Sequence, residues 1–256
     1  MEKKSENDQN DLLIGRNAVS EALKSGRDIN TLLVSKGERN GSIGRIITES
    51  RQKGIVIKEV DRKKLDAICS GSAHQGVAAF CAAHAYAELE DIFALAQERG
   101  EEPFIIICDE LEDPHNLGAI LRSAEAGGAH GVIIPKRRSA ALNYVVGKAS
   151  AGAIEYVPVV RVSNLAAAID ELKQRGVWIY CADMDGANWC EVDYSGGVGL
   201  VIGSEGKGVS RLIKEKSDFT VSLPMKGKIN SLNASVAAGI LIYEVSRQRS
   251  GITAKE

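Results

Sequence analysis

The chain has 256 residues, more than one small core usually needs, so one large domain or two smaller domains are expected. Its hydrophobic content of 44% and charged content of 26% are ordinary for a soluble globular protein. No apolar run approaches the roughly 20 residues that span a bilayer, and residues 1–11 lack the apolar core of a secretory signal. The net charge of −2 gives no overall basic field for nucleic acid, although a local basic patch is compatible with it.

The cysteines and histidines indicate neither a disulfide framework nor a metal site. There are five cysteines, an odd number without a C-x-x-C pair, and four scattered histidines. A reducing compartment is the simplest one for such a chain, so a cytoplasmic location is expected.

The first third of the chain alternates between short helices and strands. Residues 1–10 are polar and are predicted to form a disordered tail, and residues 11–84 are predicted to form a small α/β domain. Helices are predicted at 16–25, 42–53 and 61–69, and strands at 31–35, 55–60 and 76–83. Residues 85–102 are predicted to link this domain to the next, with helical periodicity over 85–99.

From residue 103 to 256 the strands become continuous apolar runs: FIIIC, GVIIP, WIYCA, GLVIG and TVSLP. Runs without alternation are typical of strands buried on both faces in a parallel sheet covered by helices. The intervening helices are predicted at 117–126, 140–148, 165–175, 210–216 and 231–249. This pattern predicts an α/β domain whose ligand lies at the carboxyl ends of the strands.

The glycine-rich loop that follows GLVIG is not a common nucleotide motif. In a Walker loop Ser or Thr follows the lysine, whereas Lys207 is followed by Gly208. The chain also has no G-x-G-x-x-G after a first strand, no G-x-S-x-G and no H-E-x-x-H. The usual NTPase, dehydrogenase, hydrolase and zinc-protease motifs are therefore absent.

Three segments that flank apolar runs carry the candidate residues. They read DPHNLGAILRSAEAGGAHGVIIP, LVIGSEGKGVSRL and VSLPMKGKINSLNASVAAGILIYE. In these segments the chain resembles the SpoU (TrmH-type) branch of the SPOUT RNA 2′-O-ribose methyltransferases, in the family's order and from about residue 102 to the C-terminus. IGRNAVSEAL and SAHQGVAAF look like the substrate-binding domain of the subgroup that makes 2′-O-methylguanosine in 23S rRNA.

The resemblance implies a fold and a cofactor that no spacing pattern showed. It implies a parallel-sheet SPOUT domain with a C-terminal trefoil knot, preceded by a small α/β substrate-binding domain. S-adenosylmethionine is then expected to bind in the knot, largely through main-chain groups, at Gly203, Leu223, Ile229 and Leu232. A homodimer with its active site near the dimer interface is also implied.

The implied catalytic residues are Asn116, Arg122, Glu205, Ser231 and Asn233. Four of them also have a purely structural interpretation: Asn116 and Ser231 are good helix N-caps, Arg122 is a surface arginine, and Glu205 is a loop charge. Arg122 is expected to contact the phosphate beside the target ribose. Whether it also takes the proton is left open, because a charged guanidinium can orient that phosphate without being a base.

Arginine and lysine side chains suggest an RNA-binding surface. Lys136, Arg137 and Arg138 form a dense basic cluster, and Arg16, with Arg39, Arg45 and Arg51, is a candidate extension from the small domain. The expected substrate is a guanosine in 23S rRNA. The alternatives are tRNA, another rRNA site, or a non-catalytic RNA-binding role in ribosome assembly.

Overall fold

The structure, a computed structural model, describes residues 10–38, 41–82, 84–229 and 231–252 and divides the chain into two compact units. Unit 1 comprises Met1–Ala85 and Leu142–Tyr156, and unit 2 comprises Tyr86–Ala141 and Val157–Glu256. The predicted tail, residues 1–10, lies outside the described residues except for Asn10, which is the first residue of a strand.

Unit 1 is built on a four-stranded sheet in the order β1-β4-β2-β3, in which only β2 and β3 are parallel. Its first elements are β1 Asn10–Ile14, α1 Arg16–Ser25, β2 Ile29–Ser35, α2 Ser42–Gln52, β3 Val56–Val60, α3 Arg62–Ile68 and β4 Val77–Ala82. Because side chains alternate along a strand, Leu32 and Val34 share a core with α1 and α2. Leu33 lies in a second core with Leu65 of α3, so helices cover both faces.

Unit 2 is built on a six-stranded parallel sheet in the order β10-β8-β9-β5-β6-β7. The remaining elements of the chain are α4 Leu89–Arg99, β5 Phe104–Cys108, α5 Pro114–Ala126, β6 Gly131–Pro135, α6 Tyr144–Ala149, β7 Val159–Val162, α7 Leu165–Gln174, β8 Val177–Asn188, β9 Gly197–Ile202, α8 Arg211–Lys216, β10 Phe219–Ser222 and α9 Ala234–Arg249. The predicted α/β class and parallel sheet are confirmed. Strands β1 and β7 were not predicted.

Helices cover both faces of the larger sheet. On one face α4, α7 and α8 place Ile92, Ile169 and Ile213 in one core with alternate residues of the central strands. On the other face α9 contacts both α5 and β9. A side chain at Gly127, at the end of α5, would overlap Ile242 of α9, so glycine is required where these two helices approach.

Residues 142–156 lie between two segments of unit 2 in the sequence but pack within unit 1. This inserted segment contains α6 and a 3₁₀ turn, Ala153–Glu155. The Glu155 carboxylate lies 2.9 Å from Arg27 Nη1 and 3.1 Å from His84 Nε2, and the side chains of Arg27 and Glu155 are only 7% and 4% exposed. The Tyr156 hydroxyl donates to Glu21 at 2.6 Å. The segment is thus anchored by the buried contacts of Glu155 with Arg27 and His84, in which loss of one partner would leave a buried polar group unpaired.

This division differs from the predicted boundaries at 84/85 and 102/103. The segment predicted as a linker, 85–102, contains α4, and its Leu89 and Ile92 belong to the core of unit 2. The helix predicted at 140–148 begins only at Tyr144, because Asn143 accepts from the N–H groups of Val145 and Val146 and caps it. It packs in unit 1, not in the predicted C-terminal domain.

No helix in the described part of the chain is both long and apolar enough to cross a membrane. Among the same residues, no group of three or more His, Cys, Asp or Glu side chains is arranged to hold a metal ion.

Candidate active site

Three polar side chains meet at the carboxyl edge of the larger sheet. Asn116 Nδ2 donates to Glu205 Oε1, and Asn233 Nδ2 donates to Asn116 Oδ1 at 3.0 Å and to Glu205 Oε1 at 3.1 Å. These residues come from the first turn of α5, the loop after β9 and the residue before α9. We call this set the polar triangle. It joins all three segments that the sequence singled out.

The caps of the two helices differ from those predicted. Asp113 caps α5 by accepting from His115 N at 2.9 Å, with Pro114 as the first helical residue, so Asn116 lies inside the helix and is 4% exposed. Asn233, not Ser231, caps α9, because its Oδ1 accepts from the N–H groups of Ser235 and Val236. Neither Asn116 nor Ser231 is therefore an N-cap. Asn233 is the N-cap of α9 and also contacts the other two residues of the polar triangle.

The loop after β9 is closed on itself. Ser204 and Gly208 exchange two backbone hydrogen bonds, of 3.1 and 2.9 Å, around a turn in which Gly206 has φ +80°. A Cβ at Gly203 would overlap the backbone of Gly208 and Val209. Gly203 is thus required by packing within the loop, besides any close approach of a ligand.

A cleft of about 560 Å³ opens between this loop and the segment before α9. Its lining includes six of the predicted site residues, namely Gly203, Glu205, Leu223, Ser231, Leu232 and Asn233. Ile229 is not among the lining residues, and 72% of it is exposed. The volume lies in the range of small-molecule sites. A second cleft of about 440 Å³ shares Ser204, Glu205 and Lys207 with the first and is also lined by Asn116.

Several lining residues were not predicted, and Asp183 is the most polar of them. It lies in the middle of β8, beside Met184, and its carboxylate is 3.0 Å from Lys214 Nζ. Burial opposes ionisation of Asp183, but the Lys214 contact and backbone N–H groups of Asp185 and Met184 outweigh it and hold the pKa below its ordinary value. The signal that would have found Asp183 is its place after the apolar run WIYCA.

The site offers no activated thiol. Cys108 ends β5, and Cys181 lies in β8. Burial, followed by the nearby carboxylates, raises the pKa of Cys108 to about 12 and that of Cys181 to about 11, so both are protonated at neutral pH. The polar side chains that line the larger cleft are those of Asp183, Ser204, Glu205, Lys207, Ser231 and Asn233. Such groups can orient and hydrogen-bond a substrate.

Within one chain, Arg122 does not lie beside the polar triangle. It lies six residues after Asn116 on α5, which at 3.6 residues per turn turns it about 120° away. Asn116 is buried and Arg122 is exposed, and Arg122 has no hydrogen bond or ion pair among the described residues. The Glu205 carboxylate accepts from Asn116 and Asn233.

The candidate RNA-binding residues lie in two different settings. Residues 136–138 follow β6 and are exposed, and Arg138 Nη1 lies 2.7 Å from Glu110 Oε1, which raises the pKa of Arg138. In unit 1, Arg16 contacts Gln75 O at 2.9 Å and Glu38 at 3.3 Å, so a local network holds its guanidinium. Arg45 and Arg51 of α2 are exposed, and Arg39 lies outside the described residues.

Comparisons with known proteins agree over both units. The SpoU rRNA Methylase family matches residues 103–243, and the family described as RNA 2′-O ribose methyltransferase substrate binding matches residues 12–87. YacO of Bacillus subtilis, whose name assigns it to the TrmH family of tRNA/rRNA methyltransferases, is 51% identical over 245 residues, which cover 95% of this chain and 98% of YacO. A TrmH family homologue from Staphylococcus saprophyticus is 47% identical over 94% of this chain and 97% of its own length.

Two solved structures show the same fold. The SpoU methyltransferase AviRb from Streptomyces viridochromogenes, determined in complex with the cofactor AdoMet, is similar with a TM-score of 0.81 and 26% identity, over 97% of this chain and 95% of AviRb. The A. aeolicus TrmH/SpoU tRNA modifying enzyme is similar with a TM-score of 0.53 and 32% identity, over 64% of this chain and 86% of its own.

Proposed function

Because this chain belongs to the SpoU (TrmH) family of S-adenosylmethionine-dependent RNA methyltransferases, we propose that it methylates the ribose 2′-OH of a guanosine in 23S rRNA. The observation that carries the proposal is the position of the polar triangle. Glu205 lines both clefts, and methyl transfer needs a donor and an acceptor that meet at one point.

The larger cleft fits the cofactor. Most of its lining residues are small or apolar, and the closed loop 203–208 forms one side of it. In the proposed arrangement Gly203, Leu223 and Leu232 hold S-adenosylmethionine, while Ile229 contributes only through its backbone. When bound, the cofactor supplies a methyl group on a sulfonium, which is already activated for transfer.

The chain's own residues orient the acceptor. Ser231 lines the cleft and offers a hydroxyl to the target ribose. Asn116 and Asn233 are fixed by their mutual hydrogen bond and by Glu205, so the start of α9 is held at the site before any substrate arrives. Such preorganisation reduces the entropy lost in reaching the reactive geometry.

Arg122 requires a second copy of the chain in this proposal. The outer side of α9 carries large exposed apolar residues, with Val236 50% and Tyr243 55% exposed, and α9 packs beside α5. Helices with uncovered apolar residues commonly form interfaces. A homodimer through α5 and α9 covers them, and Arg122 of the partner subunit then contacts the phosphate of the target nucleotide.

We also propose the trefoil knot. Strand β10 lies at the edge of the sheet, whereas α9 packs on β9, two strands inward, and on α5. After β10 the chain therefore returns from the edge of the sheet to its centre. On the way it passes the loop 203–208, which connects β9 to α8. This return path supports a threaded topology.

The choice of rRNA rests on unit 1 and residues 136–138. The A. aeolicus tRNA modifying enzyme matches only 64% of this chain, whereas AviRb matches 97%. A match of 97% of the chain has to include most of the small unit, which a match of 64% does not require. Residues 136–138 add three exposed positive charges at the carboxyl edge of the larger sheet, where RNA phosphates would lie, with Arg138 partly neutralised by Glu110.

The test is methyl transfer from labelled S-adenosylmethionine to rRNA and tRNA from a strain that lacks this protein, with digestion and identification of the labelled nucleoside. We expect 2′-O-methylguanosine in 23S rRNA, and none with the Asn116→Ala variant. Labelled tRNA instead would keep the enzyme class and overturn the rRNA assignment. Cofactor binding without transfer to either RNA, or to isolated ribosomal subunits, would favour a non-catalytic role in ribosome assembly.

A further inference from the structure

One buried carboxylate lies at the base of the glycine-rich loop. Asp109 is the first residue after β5 and is 4% exposed. Its backbone N–H donates to Ile202 O at 2.8 Å, and its Oδ2 accepts from Ser210 N at 2.7 Å. Ile202 is the residue before the loop and Ser210 the first residue after it, so Asp109 contacts both ends.

The loop is therefore closed at two levels. The two backbone hydrogen bonds between Ser204 and Gly208 close its upper part, and Asp109 closes its base. A hydrogen bond to a carboxylate is about twice as strong as one between neutral groups, and here little solvent competes with it. Residues 203–208 line the cleft, and their backbone is thus held in place without a ligand.

We propose that Asp109 is a positioning residue that sets the affinity for S-adenosylmethionine by holding the loop 203–209 in its binding shape. This inference rests on the proposed place of the cofactor in the cleft. It does not depend on which RNA is the substrate. A flexible loop would have to be ordered on binding, and that ordering weakens the observed affinity.

Direct contact with the cofactor is not the basis of this role. Asp109 is absent from the residues that line the cleft, whereas Asp183 and Glu205 are among them. The carboxylate is directed to the backbone of Ser210. Its effect on the cofactor therefore has to pass through the loop.

The experiment compares three variants of the full-length protein by calorimetric titration with S-adenosylmethionine. Asp109→Ala removes the acceptor and is expected to raise the Kd about 10- to 100-fold, the loss of one charge-assisted hydrogen bond. Asp109→Asn keeps an acceptor oxygen but loses the charge, and it is expected to raise the Kd only about 3- to 10-fold. Ser210→Pro removes the donor instead, and the φ of Ser210, −62°, is the angle that proline requires.

The matched control is Asp218→Ala. Asp218 Oδ2 also accepts from a backbone N–H of unit 2, that of Ile179, at 2.9 Å, and Asp218 does not line the cleft. Its loss is expected to lower the thermal midpoint with no change in the Kd. The combined Asp109→Ala and Ser210→Pro variant is expected to bind no more weakly than the weaker single variant, because both changes remove the same bond.

Two results would overturn the inference. An unchanged Kd in a folded Asp109→Ala variant would mean that the bond serves stability alone. If Asp109→Ala does not fold, Ser210→Pro decides, and an unchanged Kd there would count against the proposal. Wild-type cofactor binding in the same titration separates these outcomes from a failure of the proposed function.

Discussion

Asn233 has two structural tasks that different substitutions separate. Its Oδ1 caps α9 by accepting from two backbone N–H groups, and its Nδ2 donates to Asn116 and Glu205. Serine is about as good an N-cap as asparagine, but it has no amide to donate. Asn233→Ser is therefore expected to keep the cap and lose the polar triangle, whereas Asn233→Ala loses both.

The size of the effect follows from the bonds removed. The bond to Asn116 is between neutral groups and contributes about 1 kcal/mol, and the bond to the Glu205 carboxylate contributes about 1.5 to 3 kcal/mol. Glu205 is exposed, so water competes and the low end of the sum applies. A loss of about 2 to 3 kcal/mol from the transition state corresponds to roughly a 30- to 150-fold lower rate.

The assay is single-turnover methyl transfer from labelled S-adenosylmethionine, with thermal unfolding in parallel. Asn233→Ser is expected to transfer roughly 30- to 150-fold more slowly and to lose about 2 to 3 kcal/mol of unfolding free energy, because the two bonds also hold the folded chain together. Asn233→Ala is expected to show the same slow transfer and to be destabilised by about 1 kcal/mol more, the contribution of the cap. Wild-type transfer by a folded Asn233→Ser variant would refute the role of the polar triangle.

Three further predictions test other parts of the proposal. Leu232→Pro should abolish cofactor binding in a titration while Leu232→Met should be mild, and equal losses would argue against main-chain recognition. Replacing the exposed cations of residues 136–138 with Glu should weaken RNA binding and reduce its salt dependence at an unchanged cofactor Kd; unaltered RNA binding would exclude this loop. Burial opposes ionisation of Glu155, but His84 and Arg27 outweigh it and keep its pKa below the ordinary value. Its stabilising contribution is therefore full above the unfolded pKa and lost as pH falls through the lowered folded pKa, and Glu155→Gln should flatten the acid limb of a pH–stability curve measured by denaturant unfolding.

The larger sheet could be predicted because its strands are buried on both faces and read as continuous apolar runs. Two strands were not predicted, β7 of the larger sheet and β1 of the smaller one, and each omission has a physical reason. β7 has only four residues, and one of them, Arg161, is exposed and breaks the apolar run. β1 follows directly on a polar segment and is too short to show alternation. Both strands are defined by their partners, β6 and β4, more than by their own residues.

The sequence located the three site segments but not their internal contacts. Several small polar residues in each segment are able to cap a helix, and local preference does not decide among them. Asp113 and Asn233 are the N-caps because their side chains reach the free N–H groups of the first turn. The polar triangle joins residues up to 117 positions apart, and no local pattern encodes such a distance.

The inserted segment shows most clearly what single-chain patterns leave out. Its helical periodicity is visible, but periodicity says only that one face is buried and not against what. Glu155 looks like any solvent-exposed acid until Arg27, 128 positions earlier, lies beside it. Residues 142–156 lie within the family match at 103–243 and yet fold with the unit matched by the substrate-binding family, so the chain passes between the two units three times. A substitution at Glu155 therefore acts on unit 1, although its sequence position belongs to the methyltransferase match.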